Sequence, residues 1–133
     1  MNYKLSTIKS NLKPEEFIVL SKAVGWGKNA KYDMKKVKLA LKNSSFIVTL
    51  RNEKGKLIGC GRAFSDNMFF TTIPDLFVDP KYQGKGYGKL IMQKIITKYK
   101  HTKIFLGSQP GNDKFFEKLG FKKDLQSYAM KIK

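Results

Sequence analysis

The sequence has few residues of the kinds that define several protein classes. Its single cysteine, Cys60, cannot form an internal disulfide, so we predict a reducing, cytoplasmic location. Its single histidine, His101, has no partners in the sequence that would complete a metal site. No apolar run approaches the roughly 20 residues that cross a bilayer. We therefore expect no disulfide framework, no metal cofactor and no membrane partner.

Acidic residues are also scarce, and the charge is strongly positive. There are 27 Lys+Arg against 10 Asp+Glu, a formal charge of +17, which attracts nucleic acid and phosphorylated small molecules alike. Arg51 and Arg62 are the only arginines, whereas proteins that read nucleic-acid sequence rely on arginine. The lysines are spread from Lys4 to Lys133. We favour a lysine bias on a solvated surface and keep nucleic acid as an alternative partner.

The length and patterning predict one α/β domain over residues 1–133, as a monomer or homodimer. A chain of 133 residues that is 41% hydrophobic and 13% aromatic can bury one core. Apolar periodicity, capping residues and turn signals give the order β-α-α-β-β-β-α-β-α-β. The predicted elements are Tyr3–Ile8, Pro14–Val24, Met34–Leu41, Phe46–Leu50, Lys56–Phe64, Met68–Val78, Gly86–Tyr99, Ile104–Leu106, Asp113–Leu119 and Phe121–Ile132.

A glycine-rich turn between a strand and a long helix carries the clearest chemical signal. Glycines at 84, 86 and 88 remove every second side chain where the helix begins. Backbone N–H groups can then close on an anion at the positive end of the helix dipole. The P-loop pattern and the dinucleotide-binding fingerprint both fail here, because neither glycine spacing matches. The turn predicts a phosphate-binding site of another kind.

Two ordered motifs resemble those of the GNAT superfamily of N-acetyltransferases. The segment from Asp75 to Leu90 is similar to the acyl-coenzyme A motif, with Gln83, Gly86 and Gly88 at its defining positions. The segment Phe115–Phe121, Phe-Phe-Glu-Lys-Leu-Gly-Phe, is similar to the second signature of the family. The resemblance extends over essentially the whole chain. It implies a mixed sheet of about six to seven strands flanked by about four helices, with a splayed parallel pair of strands that holds acyl-CoA.

The resemblance also implies which residues bind acetyl-CoA. Backbone N–H groups from Gln83 to Lys89 hold the pyrophosphate, and lysines screen its charge. The strand before the turn leaves backbone groups unpaired, which bind the pantetheine arm like an added strand and polarise the thioester carbonyl. The implied cofactor-binding residues are Leu76, Phe77, Val78, Gln83, Gly84, Lys85, Gly86, Tyr87, Gly88, Lys89, Asn112, Phe115, Phe116 and Lys118. For Asn112, capping of the short helix is an equal alternative.

The sequence departs from the family pattern at the position of the catalytic acid. Phe116 stands where the family places a proton-donating tyrosine, and phenylalanine donates no proton. Tyr128 on the predicted terminal strand is the substitute candidate; a surface tyrosine, a water or the substrate ammonium are the alternatives. Asp75 is the candidate base, with substrate positioning or capping of a bulge at Pro74 as the alternative. Asp79 before Pro80 is predicted to be a turn residue.

The acceptor site has two candidate residues and no identified substrate. Arg62 and Trp26 would suit an acceptor with a carboxylate or a ring, although Trp26 could equally be core. Cys60 is predicted to be a buried, inert thiol. We expect an acetyl-CoA-dependent N-acetyltransferase that acts by direct transfer on a small primary amine. The alternative is a CoA-binding module without turnover that docks on RNA or a ribosomal surface.

Overall fold

A computed structural model describes residues 2–27 and 31–131 of the chain. A single mixed sheet with helices on both faces organises these residues. Within them, no helix is long and apolar enough to cross a bilayer. The elements, apart from short 3-10 turns at Lys9–Asn11 and Pro80–Tyr82, are β1 (Tyr3–Ser6), α1 (Pro14–Ala23), α2 (Met34–Lys42), β2 (Phe46–Asn52), β3 (Leu57–Ser65), β4 (Phe70–Val78), α3 (Tyr87–Tyr99), β5 (Lys103–Phe105) and α4 (Asp113–Lys118).

The sheet topology explains where a site can form. Strands β1 to β4 pair antiparallel in chain order, while β4 and β5 are parallel and are joined by α3. Strand β4, helix α3 and strand β5 form a crossover unit, since parallel neighbours need a long connection. The mixed sheet and the four α-helices are confirmed over the described residues. The sheet there has five strands rather than six to seven.

The predicted terminal strand accounts for most of that difference. Residues 121–131 form no regular element, and Ile132 lies outside the described residues. Leu125, Tyr128 and Met130 are 78%, 91% and 93% exposed. Alternating apolar residues indicate a strand only when the edge of another strand is available to them. The prediction of a strand over Phe121–Ile132 was wrong across the described part of that range.

Each face of the sheet has its own core. One face packs against α3, through buried residues such as Val48, Ile58 and Ile91. The other face packs against α1 and α2. Asp33 caps α2 by accepting a hydrogen bond from the Lys35 N–H at 3.0 Å, a role that short acidic side chains favour directly before a helix. The sheet is therefore sandwiched, and α3 is held close to β3 and β4.

Small residues on β3 allow that close packing of α3, which gives a testable consequence. A Cβ on Gly61 would lie 2.7 Å from Ile91 Cγ2 and 3.0 Å from Ile95 Cδ1. We expect Gly61→Ala to lower the free energy of unfolding by about 1–3 kcal/mol, measured by urea denaturation. Gly107→Ala is the matched control, because no atom lies within 4 Å of its Cβ position. Equal stability of the two variants would contradict this packing.

Candidate active site

A groove opens where β4 and β5 part. Only Phe70–Thr72 of β4 pair with Lys103–Phe105, and the rest of β4 has no partner on this side among the described residues. The groove has a volume of about 1090 Å³, slightly above the roughly 300–1,000 Å³ of most small-molecule and cofactor sites, which leaves room for a long ligand. Its lining residues are Val24, Trp26, Thr72, Ile73, Pro74, Leu76, Phe77, Val78, Tyr82, Gln83, Gly84, Gly86, Tyr87, Gly88, Lys89, Met92, Leu106, Gly107, Ser108, Gln109, Asn112, Phe115, Phe116, Lys118, Leu119 and Ser127.

The end of β4 presents backbone groups to this groove. The Asp79 N–H donates to the Ile58 carbonyl on the β3 side at 2.8 Å. Because backbone groups alternate along a strand, Leu76 and Val78 direct theirs to the opposite side, where β5 no longer pairs. These are two of the three residues for which the family resemblance implies backbone contacts. Phe77 lines the groove too, but its backbone groups face β3.

The glycine turn lies at the end of the groove and leads into α3. Gly84 and Gly86 have φ angles of +79° and +88°, which glycine adopts readily and other residues avoid. The helical hydrogen bonds begin with the Leu90 N–H donating to the Gly86 carbonyl at 3.2 Å. The N–H groups of Gly88 and Lys89, in the first turn, have no carbonyl four residues earlier within the helix. They form the positive end of α3.

Two side chains fix the path of the chain into that turn. The Asp79 carboxylate accepts a hydrogen bond from the Lys81 N–H at 2.9 Å and lies 3.6 Å from Lys56 Nζ. Asp79 is thus the turn residue that the sequence predicts. Gln83 Nε2 donates to the Val78 carbonyl at 2.9 Å, so the side chain ties the turn back to β4. The motif glutamine therefore shapes the loop, in addition to lining the groove.

The second motif meets the first at Gly88. The Cβ position of Gly88 lies 3.3 Å from Phe115 Cζ, so α4 rests on the first turn of α3 where a side chain is missing. The Phe115 and Phe116 rings meet edge to face at 5.0 Å between centroids, and both line the groove. Phe116 packs in turn against Phe121 at 6.0 Å. Phe116 forms part of the groove wall, and at this position it supplies no hydroxyl group to the groove.

Asp75 and Arg62, both predicted to serve the reaction, instead bind each other. Arg62 Nε donates to the Asp75 carboxylate, and the two side chains are only 13% and 16% exposed. Arg62 lies between the Phe17 and Phe64 rings, at 5.4 Å and 5.5 Å from their centroids. Neither Asp75 nor Arg62 lines the groove. The sheet is bulged beside them, since the register shifts between Arg62 and Phe64, opposite Pro74.

The other candidate residues fall into two groups, those that line the groove and those that do not. Trp26 lines the groove and is 49% exposed, so it is not a core residue. Asn112 lines the groove and makes no side-chain cap to α4, which favours the cofactor role over the capping role. Tyr128 lies on no strand and does not line the groove. Lys85 lies outside the groove lining, with its Nζ 5.6 Å from the Tyr82 ring.

Cys60 is a buried thiol, as predicted, and His101 makes a local contact with a turn. Cys60 is fully buried in the core between β3 and the α1–α2 layer, and this burial raises the pKa of its thiol. His101 Nε2 lies 3.0 Å from the Asn67 carbonyl oxygen, where it tethers the β3–β4 turn. No cluster of metal-binding side chains occurs among residues 2–27 and 31–131.

Sequence reasoning missed the loop that follows β5. Gly107, Ser108 and Gln109 line the groove opposite the end of β4. A signal was present: a Gly, Ser, Pro and Asn-rich stretch follows a short strand, and loops at the carboxyl ends of parallel strands form binding sites. Among the described residues, the groove lining includes Lys89 and Lys118 but no carboxylate and no imidazole.

Comparisons with known proteins agree with this geometry. Residues 12–121 match the model of the acetyltransferase (GNAT) family. The chain is 41% identical over 120 residues to an uncharacterized N-acetyltransferase, ycf52, of Pyropia yezoensis, covering 86% of this chain and 67% of that protein. It is 37% identical over 116 residues to a Glycine max protein named histone acetyltransferase TAP1, covering 76% of this chain.

The chain spans about half the length of the Glycine max protein, 48%. A solved structure from Streptococcus pneumoniae, a GNAT family acetyltransferase, superposes with a TM-score of 0.82, covers 98% of both chains and is 21% identical. That likeness concerns the fold, whereas the family match concerns the sequence. The splayed strands, the glycine turn and the match over residues 12–121 together show that this chain belongs to the GNAT family of acetyltransferases.

Proposed function

We propose that this protein transfers an acetyl group directly from acetyl-CoA to a primary amine of a small molecule. The observation that carries the proposal is the groove between β4 and β5, which runs to the glycine turn at the start of α3. One end of this groove offers strand edges and the other offers helix N–H groups. That combination suits a long ligand with an amide-containing arm and a pyrophosphate.

The residues present fit coenzyme A. The turn at Gly84 and Gly86 has no atom within 4 Å of either Cβ position, so the backbone is open to an anion. The first-turn N–H groups of α3 would hold the pyrophosphate, with Lys89 and Lys118 as countercharges. The backbone groups of Leu76 and the N–H of Val78 would pair with the amides of the pantetheine arm, since the Val78 carbonyl already accepts from Gln83. No carboxylate among the described lining residues opposes the phosphates.

The chemistry then requires little from side chains. Acetyl-CoA, when bound, supplies an activated acyl group. The substrate ammonium loses one proton, a C–N bond forms to the resulting neutral amine and the C–S bond breaks, so that the products are the amide, the free thiol and the released proton. A backbone N–H at the unpaired edge of β4 would polarise the thioester carbonyl. Since no base lines the groove among the described residues, we assign removal of the amine proton to water. Because a thiolate is a fairly good leaving group, water or the substrate ammonium can supply the proton that it takes up.

The charge of the groove restricts the acceptor. Lys89, Lys118 and the overall charge of +17 repel polycations, so polyamines are poor candidates. The name of the Glycine max relative makes protein lysines the second acceptor class to test, and lysine-rich tails face the same repulsion. Small amines with a neutral or anionic substituent are therefore the preferred acceptors.

Free-thiol release from acetyl-CoA tests the proposal, and calorimetry with acetyl-CoA tests binding separately. We expect binding below millimolar concentration and amine-dependent thiol release with small amino acids, aromatic amines or amino sugars. Spermidine and a lysine-rich peptide are the comparison acceptors, and we expect less release with them. Absence of binding at millimolar acetyl-CoA would overturn the proposal, and release confined to the peptide would overturn the small-molecule acceptor.

A non-catalytic role is the second candidate, and one observation favours it: no carboxylate or imidazole lines the groove among the described residues. Such a module would keep CoA binding, would release no thiol with any amine, and would dock on RNA through its lysines. Its RNA affinity would fall steeply with salt, in proportion to the phosphates contacted. Thiol release together with salt-insensitive, weak RNA binding would eliminate it.

A further inference from the structure

A second cavity lies at the opposite edge of the sheet from the groove. It has a volume of about 300 Å³ and is bounded by β1, by β2 and by the segment that leads into α1. Because β1 and β5 are the two edges of the sheet, this cavity and the groove are separated by the width of the strands between them. Its lining residues are Lys4, Ser6, Ser10, Asn11, Lys13, Thr49 and Arg51.

The lining of this β1-edge cavity is basic. Arg51 is already neutralised, since its two Nη atoms donate to the two oxygens of Glu16 at 2.6 Å and 2.8 Å. This hydrogen bonding lowers the pKa of the Glu16 carboxyl, so the pair stays charged. Lys4 and Lys13 have no carboxylate beside them in the lining. The charge of Lys13 also helps to lower the pKa of Glu16, but three cations, Lys4, Lys13 and Arg51, against this one carboxylate leave the cavity with a net charge of about +2.

Hydroxyl groups at the base of the cavity are poised to donate hydrogen bonds. Ser6 Oγ accepts from the Ile8 N–H at 3.2 Å and from Asn11 Nδ2 at 2.7 Å. Both of its lone pairs are used, so its proton is left to donate. Thr49 is only 1% exposed, and its Oγ1 has no hydrogen-bond partner within the described residues. An unpartnered buried hydroxyl is costly, which points to an occupant that accepts from it.

We propose that this β1-edge cavity binds the phosphate group of a small phosphorylated ligand. Two ammonium groups and hydroxyl donors match the charge and the acceptor oxygens of a phosphate monoester. The volume is at the lower end of small-ligand sites, which suits a compact molecule. Because the groove is elsewhere, this ligand and coenzyme A bind at the same time.

The test uses the labelled full chain, saturated with coenzyme A so that the glycine turn is occupied, and inorganic phosphate as the probe. We expect amide and side-chain NMR shifts at Ser6, Asn11 and Thr49 that saturate with phosphate and do not appear with chloride at equal ionic strength. No saturable shift there up to about 50 mM phosphate, a limit set by the weakness of single-group binding, would overturn the proposal. This outcome is independent of catalysis in the groove. If the protein binds no coenzyme A, the phosphate titration still tests this cavity, because the shifts of Ser6, Asn11 and Thr49 are followed separately from those of the glycine turn.

Matched variants assign the binding to this cavity. Lys4→Gln with Lys13→Gln should raise the phosphate dissociation constant by about tenfold or more, as expected for the loss of charged hydrogen-bond donors. Lys94→Gln with Lys122→Gln makes the same change in net charge at exposed lysines outside both sites, and should leave the constant within about twofold. Equal weakening in the two variants would mean that only the overall charge attracts phosphate.

Thr49→Val and an oligonucleotide provide two further arms. Thr49→Val removes the unpartnered hydroxyl, so we expect a higher melting temperature without phosphate and a smaller rise when phosphate is added. A stabilisation by phosphate equal to that of the unmodified protein would contradict the role of this hydroxyl.

A single-stranded oligonucleotide that shifts the NMR signals of Ser6, Asn11 and Thr49 more strongly than phosphate would overturn the small-ligand assignment in favour of nucleic acid.

Discussion

Replacing Asp75 with alanine should lower the free energy of unfolding by about 3 kcal/mol. The substitution leaves Arg62 charged, largely buried and without its carboxylate partner. Arg62 is already confined by the Phe17 and Phe64 rings and donates to Ser44 Oγ at 3.3 Å, so it cannot easily turn to solvent. Urea denaturation at neutral pH measures the loss.

An exposed ion pair is the matched control for this prediction. Lys103 Nζ and the Asp124 carboxylate are 2.7 Å apart, but their side chains are 60% and 52% exposed. Asp124→Ala should therefore cost less than about 1 kcal/mol. Replacing both members of the buried pair, with Arg62→Met and Asp75→Leu, should recover much of the loss. Similar losses for Asp75→Ala and Asp124→Ala would show that the Arg62–Asp75 pair contributes little.

A second substitution at Asp75 tests whether this residue is the catalytic base or a positioning residue. Asp75→Asn keeps the shape of the side chain and an oxygen that can accept from Arg62. If Asp75 positions the β3–β4 region, the rate falls but the pH profile of kcat/KM keeps its shape. If Asp75 removes the amine proton, as the sequence suggested, the limb of the profile due to its ionisation disappears. The structure leads us to expect an unchanged profile, because Asp75 does not line the groove.

Replacing Gly86 with alanine should weaken acetyl-CoA binding by about 10- to 100-fold. Gly86 has a φ of +88° at the N-cap of α3, a conformation that costs other residues about 1–2 kcal/mol. The turn can relieve this strain only by moving, which displaces the first-turn N–H groups that would hold the pyrophosphate. Calorimetry with acetyl-CoA measures the change, and the proposed function rests on its outcome.

Gly55→Ala is the control for Gly86→Ala. Gly55 has a φ of +84° in the β2–β3 hairpin, away from the groove, and like Gly86 it has open space at its Cβ position. Both variants should lose similar stability, whereas only Gly86→Ala should lose affinity. Unchanged acetyl-CoA affinity in a folded Gly86→Ala protein would mean that the cofactor pyrophosphate does not bind at the glycine turn.

Local patterns in the sequence predicted much of this protein. Helix starts at Pro14 and Asp33, the hairpin at Gly55 and the start of α3 after Gly86 all follow from residues that act on their immediate neighbours. The glycine turn was predictable for the same reason, since a positive φ and missing side chains are properties of the segment itself. The family follows from this turn together with Phe115–Phe121.

The tertiary structure decided what depends on distant residues. The Arg62–Asp75 pair and the contact of Gly88 with Phe115 join segments whose approach no local pattern specifies. The residues after Phe121 had the alternation of a strand, but strand formation needs the hydrogen-bonding edge of another segment. The cytoplasmic location and the single domain stay predictions. Sequence thus determined the local conformations and the family, whereas long-range packing determined which side chains face the groove. The reason is that backbone periodicity sets the side of a helix or strand on which a residue lies, but not the distant residue that it contacts.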